Sequence, residues 1–450
     1  MARRNELGRG LLGVPVAEIS DADAHTVRHD VLLWAAFGRV GMDTATTGLR
    51  RCQDVRMTAS PPKALSAFSG IGGLDLGLEA AGFDVVGCIE HDPVARRSLK
   101  VNRSEWRIID PPDITAVAEV LRPKDLGLER KELALLSGAP PCQPYSKAAM
   151  WATNAWTGFE DDRAKPLVGF LKLAETFLPR VVVMENVPGF VAGPRSVASV
   201  VAEAFETINR RTGSNYLVSS AVLDAADFGV PQRRRRAIVV AVRDGAEMTW
   251  PEPTHADEPT RAWDALHDLT EEDDVPKAGG KWAQLLPTIP EGSNYLWHTS
   301  RGAGLPLFGY RTRYWSFLLK LAKDQPSWTL PAQPGPSVGP FHWDNRPLST
   351  TEALRLQSFP ADWIVEGTRR EQVRQVGNAT PPLLAEVIGR ALLPLVGQKS
   401  TNEPLVLGLA RQATVPGASH PQPVPRQFQR LIGTHPDHPG AGAGPQPRSD

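Results

Sequence analysis

The 450-residue chain reads as an α/β fold, and three observations predict it. Short apolar runs alternate with helix-like segments between residues 63 and 245, the pattern of strands joined by crossover helices. The first run leads directly into a glycine cluster, Ser69-Gly70-Ile71-Gly72-Gly73, as happens at the carboxyl edge of such a sheet. Side chains with reactive groups, Glu90, Cys142 and Glu185, then follow the ends of successive runs. Small ligands of open α/β sheets bind along that edge.

Runs 64–68, 84–89, 133–136, 181–184 and 237–242 are expected as buried strands, and 73–81 and 167–177 as helices between them. The alternation favours parallel strands covered on both faces, over a catalytic and cofactor-binding domain at 63–245. Residues 1–62 carry mixed charge and one expected short helix at 25–37, and read as an extension of uncertain order. The texture changes at 246–345, which holds seven of the twelve tryptophans with many Pro and Gly. There, residues 247–274 carry ten acidic side chains against Arg261, a net of −9, whereas 281–324 carry a net of +4. A second, irregular domain is expected, with its later half suited to a polyanion; a lid or an oligomer contact is the alternative. Residues 346–398 return to the first domain. The remainder, 399–450, has eight Pro and five Gly in its last 35 residues and is expected as a largely disordered tail.

Composition narrows the function. Fifty Lys and Arg balance fifty Asp and Glu, which excludes a uniformly basic nucleic-acid binder but leaves room for a local positive groove. No apolar run approaches the ~20 residues of a membrane span, and the first residues lack the apolar core of a secretion leader. The three cysteines, Cys52, Cys88 and Cys142, show no C-x-x-C spacing. A disulfide framework and a metal site are therefore not expected, and a reducing cytoplasm is the natural setting.

The glycine cluster would let a ligand approach the backbone, and Glu90, 20 residues beyond Gly70, suits the two hydroxyls of a ribose. A full G-x-G-x-x-G and a Walker lysine are both missing, so a nucleoside without a pyrophosphate fits best, S-adenosylmethionine being the candidate. Asp113 and Ile114 suit an adenine amino group and ring, or else simply start a helix. Cys142 sits among Pro140, Pro141 and Pro144, a stiff loop that suits a fixed nucleophile better than core packing. Cys52 and Cys88 read as small buried hydrophobes. Glu185 and Asn186 end the 181–184 run, where a partly buried carboxyl group can gain a raised pKa and donate a proton; a cap or salt bridge is the alternative. Four arginines then follow Gln232, and strand alternation puts Arg234 and Arg236 on one face, Arg233 and Arg235 on the other.

In this order the motifs resemble those of the DNA (cytosine-5) methyltransferases of bacterial restriction-modification systems. The resemblance runs from Phe68-Ser69-Gly70-Ile71-Gly72-Gly73 through Glu90, Asp113-Ile114, Pro141-Cys142-Gln143 and Glu185-Asn186-Val187 to Gln232, Arg234 and Arg236. It closes with Leu354-Arg355-Leu356-Gln357-Ser358-Phe359-Pro360 and Gly377-Asn378-Ala379-Thr380-Pro381, and covers roughly 63–396. Tyr145, Ala139 and Thr380 depart from the usual residues, but none removes a reacting group.

The resemblance implies a Rossmann-like, S-adenosylmethionine-dependent methyltransferase fold: a mixed sheet with helices on both faces plus a smaller irregular target-recognition domain. It implies that Cys142 adds to cytosine carbon-6, that Glu185 engages ring nitrogen-3, that Arg236 holds the base oxygen and that Arg234 supports the surrounding loop. Phe68, Gly70, Ile71, Gly72, Gly73, Glu90, His91, Asp113, Ile114, Pro140, Asn378 and Ala379 would bind the cofactor. Gln143 and Ser146, with Arg301, Arg311 and Arg313 of the recognition segment, would contact double-stranded DNA. The expected partners are that DNA and a cognate restriction endonuclease, the enzyme itself acting as a monomer. Three rivals are weaker. A tRNA cytosine-5 methyltransferase would not need so long a Trp-rich insertion, an exocyclic-amine methyltransferase needs no thiol, and a non-enzymatic DNA-binding protein leaves Cys142 and Glu185 unexplained.

Overall fold

The computed structural model describes residues 60–141, 165–192, 196–269, 275–311, 314–433 and 435. The expected helix at 25–37, and Cys52, Cys142, Gln143, Ser146 and Arg313, lie outside them. Six strands form the central sheet: β1 (Lys63–Ala67), β2 (Asp84–Ile89), β3 (Leu135–Gly138), β4 (Val181–Asn186), β5 (Leu217–Asp224) and, after the two-residue β6 (Gln232–Arg233), β7 (Arg235–Val242). Their order is β2-β1-β3-β4-β7-β5. The first four are parallel, whereas β7 runs antiparallel to both its neighbours. The parallel pairing that the alternation favours holds for these four strands, and β7 makes the sheet the mixed one that the resemblance implies. The link 225–234 between β5 and β7 has no room for a crossover helix, so the chain can only turn back on itself.

Strand alternation divides the sheet's side chains between two cores. Leu65, Leu136, Val182, Met184, Val239 and Ala241 face one side, where α3 (Ile114–Val120), α4 (Lys165–Phe177) and α5 (Ala198–Thr212) cover them. Ala64, Leu135, Val181, Val183, Ile238 and Val240 face the other, against α1 (Gly73–Ala80) and α9 (Pro382–Leu392). Helices thus cover both faces of a mixed sheet. Helix α2 (Pro93–Asn102) starts on Asp92, whose side chain accepts from Val94 N at 2.9 Å, with Pro93 at its first position.

The described residues of segment 246–345 hold little regular structure: the short helix α6 (Ala262–Leu266), single helical turns, and β8 (Ser327–Trp328), which pairs with β6. It has its own apolar cluster around Leu285, Tyr295, Leu318 and Phe341. Helices α7 (Thr350–Leu356) and α8 (Arg369–Asn378) then lead back to α9. The stretch 369–396 has the length and hydropathy of a membrane span, but it divides at Ala379–Pro381 and its apolar part is buried on α1 and the sheet.

The described part of the tail differs from the expected disorder. Leu405 and Leu407 pack on the sheet's second core, and Phe428 joins the 285–341 cluster beside Trp282 at 5.9 Å. The backbone N–H groups of Val406 and Leu407 donate to the fully buried Glu386 carboxylate at 2.8 and 2.9 Å. Leu405, Leu407, Leu409, Val424 and Phe428 reach a core while Val406 and Ile432 stay exposed, a pattern that a Pro and Gly count does not register.

Candidate active site

The carboxyl edge of the sheet is built from local geometry. Strand β1 is followed by Phe68, which adopts φ +57°, an uncommon left-handed conformation for a residue with a side chain. The turn that follows delivers Gly70 N–H to Glu90 Oε2 at 2.7 Å, while Asp92 N–H donates to Glu90 Oε1 at 2.7 Å. Glu90 is thus fixed at the end of β2. Burial pushes its pKa up, and these two backbone donors oppose that shift. Asp92 is in turn held by Arg374 of α8, Nη2 to Oδ2 at 2.5 Å.

Glu185 ends β4 and is buried. Its Oε1 lies 2.7 Å from Nε of Arg236. The neighbouring Asn186 donates from Nδ2 to Pro140 O at 2.7 Å, tying the loop after β3 to the end of β4. Arg234 is buried, and its Nη2 bridges Gly377 O and Ala379 O, each at 2.8 Å. Its Nε and Nη1 find no partner among the described residues. Burial first, then the Arg236 charge, lower the Arg234 pKa, with Glu185 opposing; a guanidinium still stays charged at neutral pH.

Glu185, Arg234 and Arg236 share one cavity of about 540 Å³ with Phe68, Gly70 and Glu90. Pro140, Pro141, Asn378 and Ala379 complete that wall. The volume is that of a small-ligand site, about 300–1,000 Å³. Arg234 and Arg236 both face it while Arg233 and Arg235 are exposed, the alternation expected from the sequence.

Other expected residues lie elsewhere. Ile71 is core, packed with Trp106, Phe359 and Trp363, because the turn points it away from the cavity. Gly72 caps α1, and Gly73 lies against Thr380 O, so both serve packing there. His91 is exposed and lines no part of the cavity. Asp113 caps α3: its carboxylate accepts from Thr115 N at 2.7 Å and Thr115 Oγ1 at 2.6 Å, and the hydroxyl bond leads in lowering its pKa. Ile114 is buried in the first core. Arg301 stacks its guanidinium 3.5 Å from the Tyr310 ring, and Arg311 is anchored by its backbone to Tyr295; neither lines the cavity.

Sequence reasoning missed Asp92, Arg374 and Gln333, which also line the cavity. Asp92-Pro93 is a legible helix start, whereas Arg374 and Gln333 arrive from distant segments and leave no local signal. Among the described residues no group of three or more His, Cys, Asp or Glu side chains is placed to hold a metal ion.

Comparison with known proteins decides the family. Residues 63–393 match the model of the C-5 cytosine-specific DNA methylases. The chain belongs to this family. The DNA methylase is 34% identical over 373 residues to the type II methyltransferase M.SacI of Streptomyces achromogenes, covering 74% of this chain and 93% of that relative. It is 31% identical over 350 residues to the type II methyltransferase M.Eco47II of Escherichia coli, with 74% and 79% covered. A prophage-encoded E. coli protein assigned as a DNA modification methyltransferase shares the fold, with a TM-score of 0.53, 22% identity, and 75% and 99% of the chains covered. The enzyme is a DNA (cytosine-5) methyltransferase of the type II restriction-modification kind.

Proposed function

We propose that this methylase takes a cytosine extruded from duplex DNA into the cavity and methylates it through a covalent bond to Cys142. The observation that carries the reading is the pairing of the buried Glu185 with Arg236 on the wall that also bears Glu90 and Gly70. A carboxyl group and a guanidinium side by side match ring nitrogen-3 and oxygen-2 of cytosine, which are adjacent on one edge of the base. A base inside a stacked helix cannot reach such a wall, so it must be flipped out at a cost of a few kcal/mol.

Carbon-5 of cytosine is a weak nucleophile, and the ring has to be activated. The Cys142 thiolate adds to carbon-6 while Glu185 donates a hydrogen bond or proton to nitrogen-3, which stabilises the electron pair delivered to carbon-5. Arg236 holds oxygen-2. After methylation, loss of the carbon-5 proton and expulsion of the sulfur restore the aromatic ring. A free thiol is only a few per cent ionised at neutral pH, so a cationic wall that includes Arg234 and Arg236 favours the reactive thiolate.

S-adenosylmethionine, when bound, supplies the electrophilic methyl group. The residues present fit it. Each Glu90 oxygen accepts one backbone N–H, which leaves lone pairs for the two ribose hydroxyls, and the space over Gly70 is open. Phe68, Pro140, Asn378 and Ala379 would complete that part of the site, and segment 246–345 would read the DNA. The type II relatives support a role in protecting host DNA from a cognate endonuclease.

Duplex carrying 5-fluorocytosine at the methylated site tests the mechanism. With fluorine at carbon-5 there is no proton to lose, so the adduct should persist through denaturing electrophoresis in the native enzyme and vanish in Cys142→Ala. Turnover of ordinary DNA by Cys142→Ala at the native rate would remove the covalent mechanism.

A further inference from the structure

One side chain from segment 246–345, Gln333, lines the cavity that holds Glu185 and Arg236. The backbone that carries it is fastened repeatedly to catalytic elements. Gln232 and Arg233 pair in register with Ser327 and Trp328, and Ser327 N–H donates to Pro231 O at 2.9 Å. Thr329 Oγ1 donates to Arg233 O at 2.7 Å, and Leu330 N–H to Gln232 Oε1 at 3.3 Å. Ala332 then lies directly on Gly377: a Cβ placed there would fall 2.4 Å from Ala332 Cα. The carbonyl of that same glycine accepts from Arg234. The position of Gln333 is therefore set by the strand of arginines that forms the floor.

Depth assigns the ligand. Glu185 and Arg234 are buried, at 6% and 1% exposure, and form the floor where a base edge would rest. Gln333 is exposed and stands at the mouth, where the sugar and phosphate of an inserted nucleotide must pass. Arg374, a cationic neighbour on the same cavity, is already committed to Asp92. A carboxamide offers an uncharged N–H donor, a type of group that commonly contacts phosphate oxygens.

We propose that Gln333 donates a hydrogen bond to a phosphate flanking the target cytosine, so that the recognition segment itself grips the nucleotide presented to Glu185 and Arg236. This rests on the extrusion of the base argued above. The experiment is single-turnover transfer of labelled methyl to a duplex carrying the site that bisulfite sequencing of host DNA identifies. Each flanking phosphate is compared with its neutral methylphosphonate.

In the native enzyme one methylphosphonate should slow transfer roughly tenfold, the loss of a single hydrogen bond to a charged group. Gln333→Ala should be slowed by a similar factor on natural DNA and show no further loss on that methylphosphonate, because the two changes remove the same contact. Gln333→Glu, which sets a carboxylate against the phosphate, should be slower still, while cofactor affinity measured by calorimetry stays native in both variants. Gln333→Ala at the native rate, or equal methylphosphonate losses in variant and native enzyme, would overturn the proposal. Duplex with 2-aminopurine at the target position separates the two readings. A fluorescence rise in the native enzyme with no Gln333 effect sinks only the phosphate contact, and no rise sinks extrusion and the contact together.

Discussion

Arg236 Nε stands 2.7 Å from Glu185 Oε1, and this pairing is a product of strand direction. Strand β7 runs antiparallel to β4, with Ala237 opposite Asn186 and Ile238 opposite Glu185. The residues that precede this ladder therefore overhang the carboxyl edge of the parallel strands. A parallel strand here would have carried its arginines to the opposite end of the sheet. Glu185→Gln keeps the shape and an oxygen for Arg236 but loses the acid. We expect it to fold and bind cofactor normally while single-turnover transfer falls by about 10²–10⁴, the usual contribution of a general acid. Transfer within a few fold of native would exclude an acid role for Glu185.

Gly73 tests the seam between α1 and the returning chain. A Cβ added to it would lie 2.1 Å from Thr380 O and 2.9 Å from the Phe359 ring, neither of which can yield without moving backbone or core. Gly73→Ala should cost about 1–3 kcal/mol or more by overpacking. Because Asn378 and Ala379 on the cavity wall immediately precede Thr380, cofactor affinity should fall with it. Gly189→Ala, where nothing lies within 4 Å, is the matched control. Thermal denaturation and calorimetric titration of the two variants check both effects, and equal melting temperatures would contradict the geometry.

Much of this arrangement is legible in the residues. The apolar runs at 84–89 and 181–184 coincide with β2 and most of β4, and the arginine alternation at 233–236 holds. Strand β5 was not legible, because it is an edge strand interrupted by Ser219 and Ser220 and half-exposed throughout, so it lacks an apolar run. The direction of β7 followed from the shortness of its connection, a signal present at 225–234 but outweighed by the general alternation of elements. At the cavity, Glu90 and Glu185 lie together as the sequence placed them, because strand ends are visible in sequence. Asp113 and His91 do not line that cavity, and a loop's path after a strand is not visible in sequence. Gln333 and Arg374 depend wholly on how distant segments fold back.

A buried acid beneath the glycine turn predicts pH dependence. Asp75 is fully buried; its Oδ1 accepts from Ser69 Oγ at 3.1 Å and Cys88 Sγ at 3.5 Å, and Oδ2 has no partner among the described residues. Burial raises its pKa from 3.8 to about 6. Between those values the folded protein holds a proton that the unfolded chain has released, so the stability due to this group is complete below pH 3.8 and is lost as pH rises through about 6. Asp75→Asn removes the titration. The variant should gain stability relative to native as pH goes from 4 to 7, by up to about 3 kcal/mol at ~1.4 kcal/mol per tenfold change in proton affinity. Urea unfolding at pH 4.5 and pH 8 checks the sign, and a difference independent of pH would contradict it.

The carboxy-terminal segment predicts a stepwise loss. Glu386 is fully buried in α9, and its carboxylate is satisfied by Arg390 Nη2 at 2.7 Å and by the backbone of Val406 and Leu407. Gln412 N–H donates to the buried Asp264 at 2.9 Å in the same way, and Phe428 packs beside Trp282. Truncation after Ser400 removes every tail contact at once. Each lost donor leaves a buried carboxylate oxygen short of a partner, at about 1–3 kcal/mol or more for a charged group. Truncation after Ala413 keeps the bonds to Glu386 and Asp264 and gives up only the contacts further along, including Phe428. The first truncation should therefore lower the melting temperature well beyond the second. The same melting temperature for both would mean that the two carboxylates gain nothing from the tail.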